Sequence, residues 1–234
     1  MGAGVQHDDE PHRHQDGLTW RTLIRQRATR VTLVEILNDL WVRGIPVVSL
    51  DVLPAPSFQG LACIVEGRPV ILVSYKHDEP GRVAFWIAHE AGHIASGDCA
   101  PEHPVVDADD EIGDESNIER NADLYATQAL VGAPEIPRLP VPDSVDFKML
   151  ARQAIEAERN TGADASAVIY AWARRTGDYA LATMAVKALY RGTGARRELL
   201  RNFLRHVDID AAADTDRSLL RCVQDNSTRD EAAR

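Results

Sequence analysis

No apolar run in the sequence approaches the roughly 20 residues that a membrane-spanning helix needs. Residues 1–17 are polar and lack the apolar centre of a signal peptide. Cysteine is scarce as well, since the sequence contains only Cys63, Cys99 and Cys222. An odd number of cysteines that lie far apart argues against a disulfide framework and favours a reducing compartment. These absences predict a cytoplasmic protein with no membrane association, in which residues 1–17 form a disordered leader.

Positively charged residues are outnumbered as well: the sequence has 26 Lys and Arg and 36 Asp and Glu, which gives a formal net charge of −10. This balance argues against a protein that coats nucleic acid over its whole surface. Six of the nine residues at 107–115 are acidic, whereas residues 174–205 contain eight Lys or Arg. The acidic stretch is either a solvated connection or a rim that steers a basic substrate through Asp107, Asp109 and Asp110. The basic stretch either faces solvent or contacts DNA or an acidic partner, so direct DNA binding is left open.

Apolar periodicity divides the chain into an α+β part and an all-α part. A helical period runs over residues 18–42, and β-branched runs then predict a strand and a hairpin. Further helices are predicted over the motif described below, over residues 116–131, and at least four times beyond a proline-rich linker. The predicted segments are a leader at 1–17, an α+β domain at 18–134, a linker at 135–145, a helical domain at 146–224 and a loose tail at 225–234.

One short motif carries chemistry: residues 85–98 are FWIAHEAGHIASGD and include His-Glu-x-x-His. Residues four apart on a helix lie on one face about one turn apart, so His89 and His93 can point two imidazoles at one ion. Glu90 is turned aside from that ion but can reach a water bound to it. Two neutral histidines, an open position for water and a carboxylate that takes its proton are what zinc peptidases use. The alternative is a pair of structural histidines on a buried helix.

Two residues compete for the third ligand. Metzincin-type spacing would place it at Cys99, but that arrangement requires glycine where this chain has Ser96. Glu119 lies on the second predicted helix, and Asp123 shares its face. We therefore expect Glu119 to bind the metal and Asp123 to orient a ligand histidine through its far ring nitrogen. The competing interpretations are that Glu119 forms a capping box with Ser116 and that Asp123 is a solvated carboxylate.

At these residues the sequence resembles the ImmA/IrrE family of metallopeptidases. The resemblance spans residues 44–134 and implies nothing about residues 141–234. The family pattern is an aromatic-x-x-Ala-His-Glu-x-Gly-His helix followed by Glu-x-x-Ala-[Asn/Asp]-x-[Phe/Tyr]-Ala. It is met by Phe85, Ala88, His89, Glu90, Gly92, His93, Glu119, Ala122, Asp123, Tyr125 and Ala126. The resemblance implies a zincin-like fold, in which a small antiparallel or mixed sheet accompanies the motif helix.

The resemblance also implies a set of roles and a substrate. His89, His93 and Glu119 would be the metal ligands, and Glu90 would be the general base. Family members characteristically cut one bond in a helix-turn-helix transcriptional repressor, which relieves repression in mobile elements, stress responses or toxin–antitoxin-like modules. The expected function is therefore a zinc-dependent endopeptidase that makes a limited, site-specific cut in an XRE-type repressor or antitoxin-like regulator encoded nearby.

Several points stay open in this expectation. Zinc is the default ion for a set of two histidines and one glutamate, and manganese or iron can take its place. His103 and Tyr125 are candidates for stabilising the oxyanion. The alternative function is a non-proteolytic regulatory protein that holds a repressor or DNA through its C-terminal helices and in which the metal site is structural.

Overall fold

The computed structural model describes residues 16–50, 58–74, 77–100, 105–108, 117–132, 146–189 and 194–211. Within these ranges the chain is α+β. The helices are α1 (Gly17–Arg25), α2 (Leu33–Val42), α3 (Pro80–Ser96), α4 (Asn117–Val131), α5 (Phe147–Thr161), α6 (Ala165–Thr176), α7 (Tyr179–Ala188) and α8 (Ala195–His206). The strands are β1 (Val47–Leu50), β2 (Phe58–Val65), β3 (Arg68–Ser74) and β4 (Val105–Ala108). None of these helices combines the length and the apolar character needed to cross a membrane.

The helical period over residues 18–42 predicts one continuous helix. This prediction is wrong, because the chain forms α1 and α2 with a break between them. Asp16 caps α1 by accepting a hydrogen bond from the backbone N–H of Thr19 at 2.6 Å. In the break, the backbone N–H of Val31 donates to the carbonyl of Gly162 at 2.9 Å. Val31 is fully buried, so the apolar period continues through the break although the helix does not.

The predicted hairpin forms the centre of a four-stranded sheet with the order β1-β3-β2-β4. β2 and β3 pair antiparallel as far as Val65 opposite Arg68. The two residues between them, Glu66 and Gly67, have φ angles of 50° and 78°, and a type I′ turn requires positive φ at both positions. β1 joins β3 in parallel and β4 joins β2 antiparallel, which makes the sheet mixed.

The motif helix α3 packs against β2 and β3 and against α4 and α6. Pro80 lies in its first turn, and Gly97 ends it in the left-handed conformation with a φ of 76°. Gly92 allows a close approach of α4, because a Cβ at this position would lie 3.1 Å from the Cα of Ala122. The start of α4 can therefore lie beside the face of α3 that carries the two histidines.

The helices beyond the predicted linker share the core of the first part of the chain. α6 packs against α3 and α4, and α8 packs against α2 and β1. The fully buried large side chains come from both parts and include Ile36, Ile71, Ile87, Leu130, Leu150 and Ile169. Residues 1–15, 133–145 and 212–234 lie outside the described residues. These ranges include nearly all of the predicted leader, the whole of the predicted linker and the whole of the predicted tail. The domain boundaries therefore stay predictions.

Candidate metal centre

Two histidines project from α3 one turn apart. His89 and His93 are fully buried, and their Nε2 atoms lie 3.1 Å apart. The helix holds them in place because its apolar residues, among them Phe85, Ile87 and Ala88, are buried in the core. Both imidazoles therefore face one position.

Glu119, in the first turn of α4, completes a group of three. Its Oε2 lies 3.2 Å from Nε2 of His89, and its Oε1 lies 3.7 Å from Nε2 of His93. Donor atoms about 2.0–2.1 Å from a tetrahedral zinc ion lie about 3.3–3.4 Å apart. The observed separations lie close to this value on either side, so these three side chains could hold one metal ion.

Cys99, the competing third ligand, lies outside the group of metal-binding side chains found in the described residues. Burial, followed by the charges of Glu90 and Asp98, raises the pKa of the Cys99 thiol to about 12. Cysteine binds metal as the thiolate, and this environment disfavours the thiolate form of Cys99. Ser116, the partner of Glu119 in the capping-box interpretation, lies outside the described residues.

A carboxylate holds the far nitrogen of each histidine. Nδ1 of His89 lies 2.9 Å from Oδ1 of Asp123, and Nδ1 of His93 lies 3.1 Å from Oδ2 of Asp98. Because an ionised carboxylate only accepts hydrogen bonds, each Nδ1 carries the proton and each Nε2 is left to face an ion. Asp123 was expected in this position. Asp98 was missed, although an acidic residue directly after the terminating Gly97 is a signal that could have pointed to it.

Electrostatics favour a positive charge between these groups. Burial alone would lower the pKa of His89, but hydrogen bonds with Asp123 and Glu119 raise it to about 10. The pKa of His93 is lowered, first by burial and then by the charge on His89. The hydrogen bond with His89 lowers the pKa of Glu119. The surroundings of the group therefore favour positive charge, and a metal ion could supply it by binding to Nε2 of His89.

Glu90 follows His89 on α3 and is fully buried. Its charge contributes to the raised pKa of His89. The backbone of β2 lies directly against its carboxylate, since a Cβ at Gly60 would lie 2.3 Å from Oε1 of Glu90. Gly60 also stands at an irregularity in the pairing of β2 with β4. An isolated glycine within a strand pattern often marks such a close approach, and this signal was available in the sequence.

Arg174 reaches the site from α6 and was also missed. Its Nε donates to Oδ2 of Asp123 at 2.9 Å. Its guanidinium carbon lies 5.2 Å from the centre of the Trp86 ring, and Trp86 meets the ring of His89 edge to face with centroids 5.8 Å apart. Burial alone would raise the pKa of Asp123, but the hydrogen bond with His89 and the charge of Arg174 lower it. Asp123 is therefore held as a carboxylate.

Comparisons with known proteins add nothing to this geometry. No protein-family model matches the chain, and no curated protein matches it. The resemblance to the ImmA/IrrE metallopeptidases thus stays an expectation that rests on the two motifs.

The structure describes two of the remaining candidates, Tyr125 and Asp107. The ring of Tyr125 packs against Trp20 with centroids 5.8 Å apart, and the charged groups that influence its hydroxyl belong to α1 and α2 and their caps. This placement in the core does not support a role at the oxyanion. Asp107 lies on β4. Outside the described residues are His103, Asp109 and Asp110.

Proposed function

We propose that this protein is a zinc-dependent metallo-endopeptidase. One observation carries the proposal: Nε2 of His89, Nε2 of His93 and the carboxylate of Glu119 converge at distances suited to one ion. Glu90 follows directly on the same helix. Two imidazoles and one carboxylate form a donor set typical of catalytic zinc, which leaves a position for water. Manganese and iron are the alternative ions for this set.

The metal ligands and the carboxylates around them would have distinct tasks in peptide hydrolysis. An ion held by these ligands would acidify a water molecule and polarise the scissile carbonyl. Glu90 is the general base: its carboxylate takes the proton of the attacking water and passes it to the leaving amine as the C–N bond breaks. Asp123 and Asp98 hold the imidazole rings of the ligand histidines, so that each Nε2 keeps its direction.

The architecture we propose is zincin-like. The motif helix α3 packs against the hairpin of a small mixed sheet, and the helix that follows, α4, contributes the third ligand. The same order of hairpin, motif helix and second helix carries the resemblance to the ImmA/IrrE family.

The substrate we propose is an XRE-type helix-turn-helix repressor, or an antitoxin-like regulator, encoded nearby. This choice rests on the resemblance and on charge. A DNA-binding repressor is basic, whereas this chain has a formal net charge of −10 and a strongly acidic stretch at residues 107–115. Opposite charges favour association and orient the partners. The cut would take place in the cytoplasm and would relieve repression, for example in a stress response.

The test is an incubation of the purified chain with the repressor encoded beside it, with zinc or manganese added, followed by intact mass spectrometry. We expect one discrete pair of fragments. The pair should be absent with a chelator and absent with Glu90→Gln. Glu156→Gln, which changes an exposed carboxylate on α5, is the matched control and should cut like the wild type.

A second candidate function is to hold a repressor or DNA without cutting it, and α8 carries the observation that favours it. Arg197, Arg201 and Arg205 are exposed, whereas Leu199 and Phe203 on the same helix are buried. The incubation above separates the two functions. An uncut repressor that co-elutes with the metal-loaded chain would favour binding, and so would a Glu90→Gln variant that keeps full biological effect.

A further inference from the structure

We propose that Arg174, on α6, is a positioning residue of the metal centre that acts on His89 through Asp123. The proposal rests on the metal-binding part of the proposed function and not on proteolysis. It assigns a task at the site to the helical segment that follows the predicted linker.

A continuous chain of contacts links Arg174 to the ion position. Nε of Arg174 donates to Oδ2 of Asp123 at 2.9 Å, and Oδ1 of the same carboxylate accepts from Nδ1 of His89 at 2.9 Å. Nε2 on the opposite edge of the His89 ring faces His93 and Glu119. The orientation of the Asp123 carboxylate therefore sets the orientation of a ligand ring, and Arg174 holds the other end of that carboxylate.

Trp86 lies beside both Arg174 and His89. The guanidinium of Arg174 lies over its ring, with 5.2 Å between the guanidinium carbon and the ring centre. The same indole meets His89 edge to face. Arg174 thus contacts both neighbours of His89, the one that holds its far nitrogen and the one that packs against its ring.

The burial of Asp123 explains why a cation is needed there. Its side chain is 8% exposed, whereas that of Arg174 is 23% exposed. A carboxylate buried to this degree needs a compensating charge and a donor for each oxygen. Without Arg174, Oδ2 would have to turn toward another donor, and the hold on His89 would loosen. Arginine suits the position because its planar group can donate along its edge while its face lies on an aromatic ring.

The experiment measures the zinc affinity of the full chain by competition with a chromogenic chelator, at one fixed pH. The variants are Arg174→Gln, Asp123→Asn, the double variant, and Arg152→Gln as a control that removes an exposed arginine from α5. Partners that hold a ligand histidine typically contribute about 10–100-fold to metal affinity, so we expect Asp123→Asn to weaken binding within that range and Arg174→Gln by about tenfold. Arg152→Gln should bind like the wild type.

The double variant decides whether Arg174 acts through Asp123. If it does, adding Arg174→Gln to Asp123→Asn should weaken zinc affinity by less than about a further twofold, because the effects of coupled residues are not additive. Losses that multiply would overturn the proposal, and so would wild-type affinity in Arg174→Gln. A wild-type chain that binds no zinc would overturn the proposed function as well, which distinguishes the two failures.

Folding is checked on the metal-free proteins by circular dichroism. Should Arg174→Gln fail to fold, Arg174→Lys carries the same comparison, because it keeps the charge and loses the planar Nε donor. We expect an intermediate loss of zinc affinity in Arg174→Lys. Wild-type affinity in this variant would then overturn the proposal.

Discussion

Gly60 on β2 lies so close to Glu90 on α3 that a Cβ at this position would stand 2.3 Å from Oε1 and 2.9 Å from Cδ of the glutamate. Real side chains do not approach to that distance, so the absence of a Cβ at residue 60 is a condition for the observed position of the carboxylate. Strand β2 therefore takes part in placing the general base of the proposed mechanism. The three heavy atoms nearest to such a Cβ all belong to Glu90.

The first prediction changes this contact. Gly60→Ala should displace the Glu90 carboxylate and leave the metal ligands in place. A shift of about 1 Å in a reacting group can cost about 100-fold in rate, and we expect a loss of that order in repressor cleavage. Zinc affinity should stay at the wild-type value, since the ligands are untouched. Cleavage is followed by intact mass spectrometry and affinity by chelator competition.

Gly67→Ala is the matched control for Gly60→Ala. It lies in the turn of the same hairpin, has a φ of 78°, and has no atom within 4 Å of an added Cβ. The strain of a positive φ should lower the free energy of unfolding, while cleavage by the folded fraction stays unchanged. Equal cleavage losses in the two variants would show that hairpin stability, and not the position of Glu90, is responsible.

The second prediction concerns Asp98, which holds Nδ1 of His93 at 3.1 Å. Asp98→Asn should weaken zinc binding by about tenfold, at the lower end of the 10–100-fold range for such partners. The smaller effect is expected because the Asp98 side chain is 19% exposed and that of Asp123 is 8% exposed. A larger loss in Asp98→Asn than in Asp123→Asn would contradict this ranking.

Local pattern was sufficient for the elements that carry the ligands. The helix expected over the motif is α3, which ends directly before Gly97, and the second helix expected at residues 116–131 is α4. The hairpin also forms as predicted. These elements depend on helical periods, strand alternation and turn residues, all of which act over a few neighbouring positions. The shared face of His89 and His93 is predictable for the same reason, because it follows from their four-residue spacing on one helix.

Features that depend on contacts between residues far apart in the chain could not be predicted from the sequence. The break between α1 and α2 is fixed by the hydrogen bond from Val31 to Gly162, which lies beyond the predicted linker. Arg174 is 51 residues from Asp123, and nothing in its neighbourhood singles it out. Such partners depend on tertiary packing, which the periodicity of a sequence does not reveal.

The third prediction concerns pH and Asp39, a buried carboxylate away from the metal centre. Burial alone would raise its pKa, but hydrogen bonds from Arg43 and Arg27 lower it, as does one from Trp20. A carboxyl group with a lower pKa in the folded state stabilises the fold above its unfolded pKa of about 3.9. This stabilisation is lost as the pH falls through the folded-state pKa.

Asp39→Asn should therefore lower the free energy of unfolding near neutral pH by about 1.5–3 kcal/mol, the contribution of hydrogen bonds to a charged group. The difference from the wild type should shrink below about pH 4, because the wild-type carboxyl then gains its proton. Urea unfolding at a series of pH values measures both effects. Glu156→Gln, which changes an exposed carboxylate, is the control and should follow the wild type. A difference that does not change with pH would contradict the assignment to ionised Asp39.

The last prediction tests the steering of a basic substrate by the acidic stretch at residues 107–115. Neutralising Asp107, Asp109 and Asp110 to asparagine should slow repressor cleavage at low salt, because long-range attraction raises the rate of encounter. The difference should fade as salt is added, since the screening length drops to about 8 Å at physiological ionic strength. Glu156→Gln is again the control, as it removes an exposed acidic charge outside the stretch. An unchanged low-salt rate in the triple variant would leave the stretch as a solvated connection.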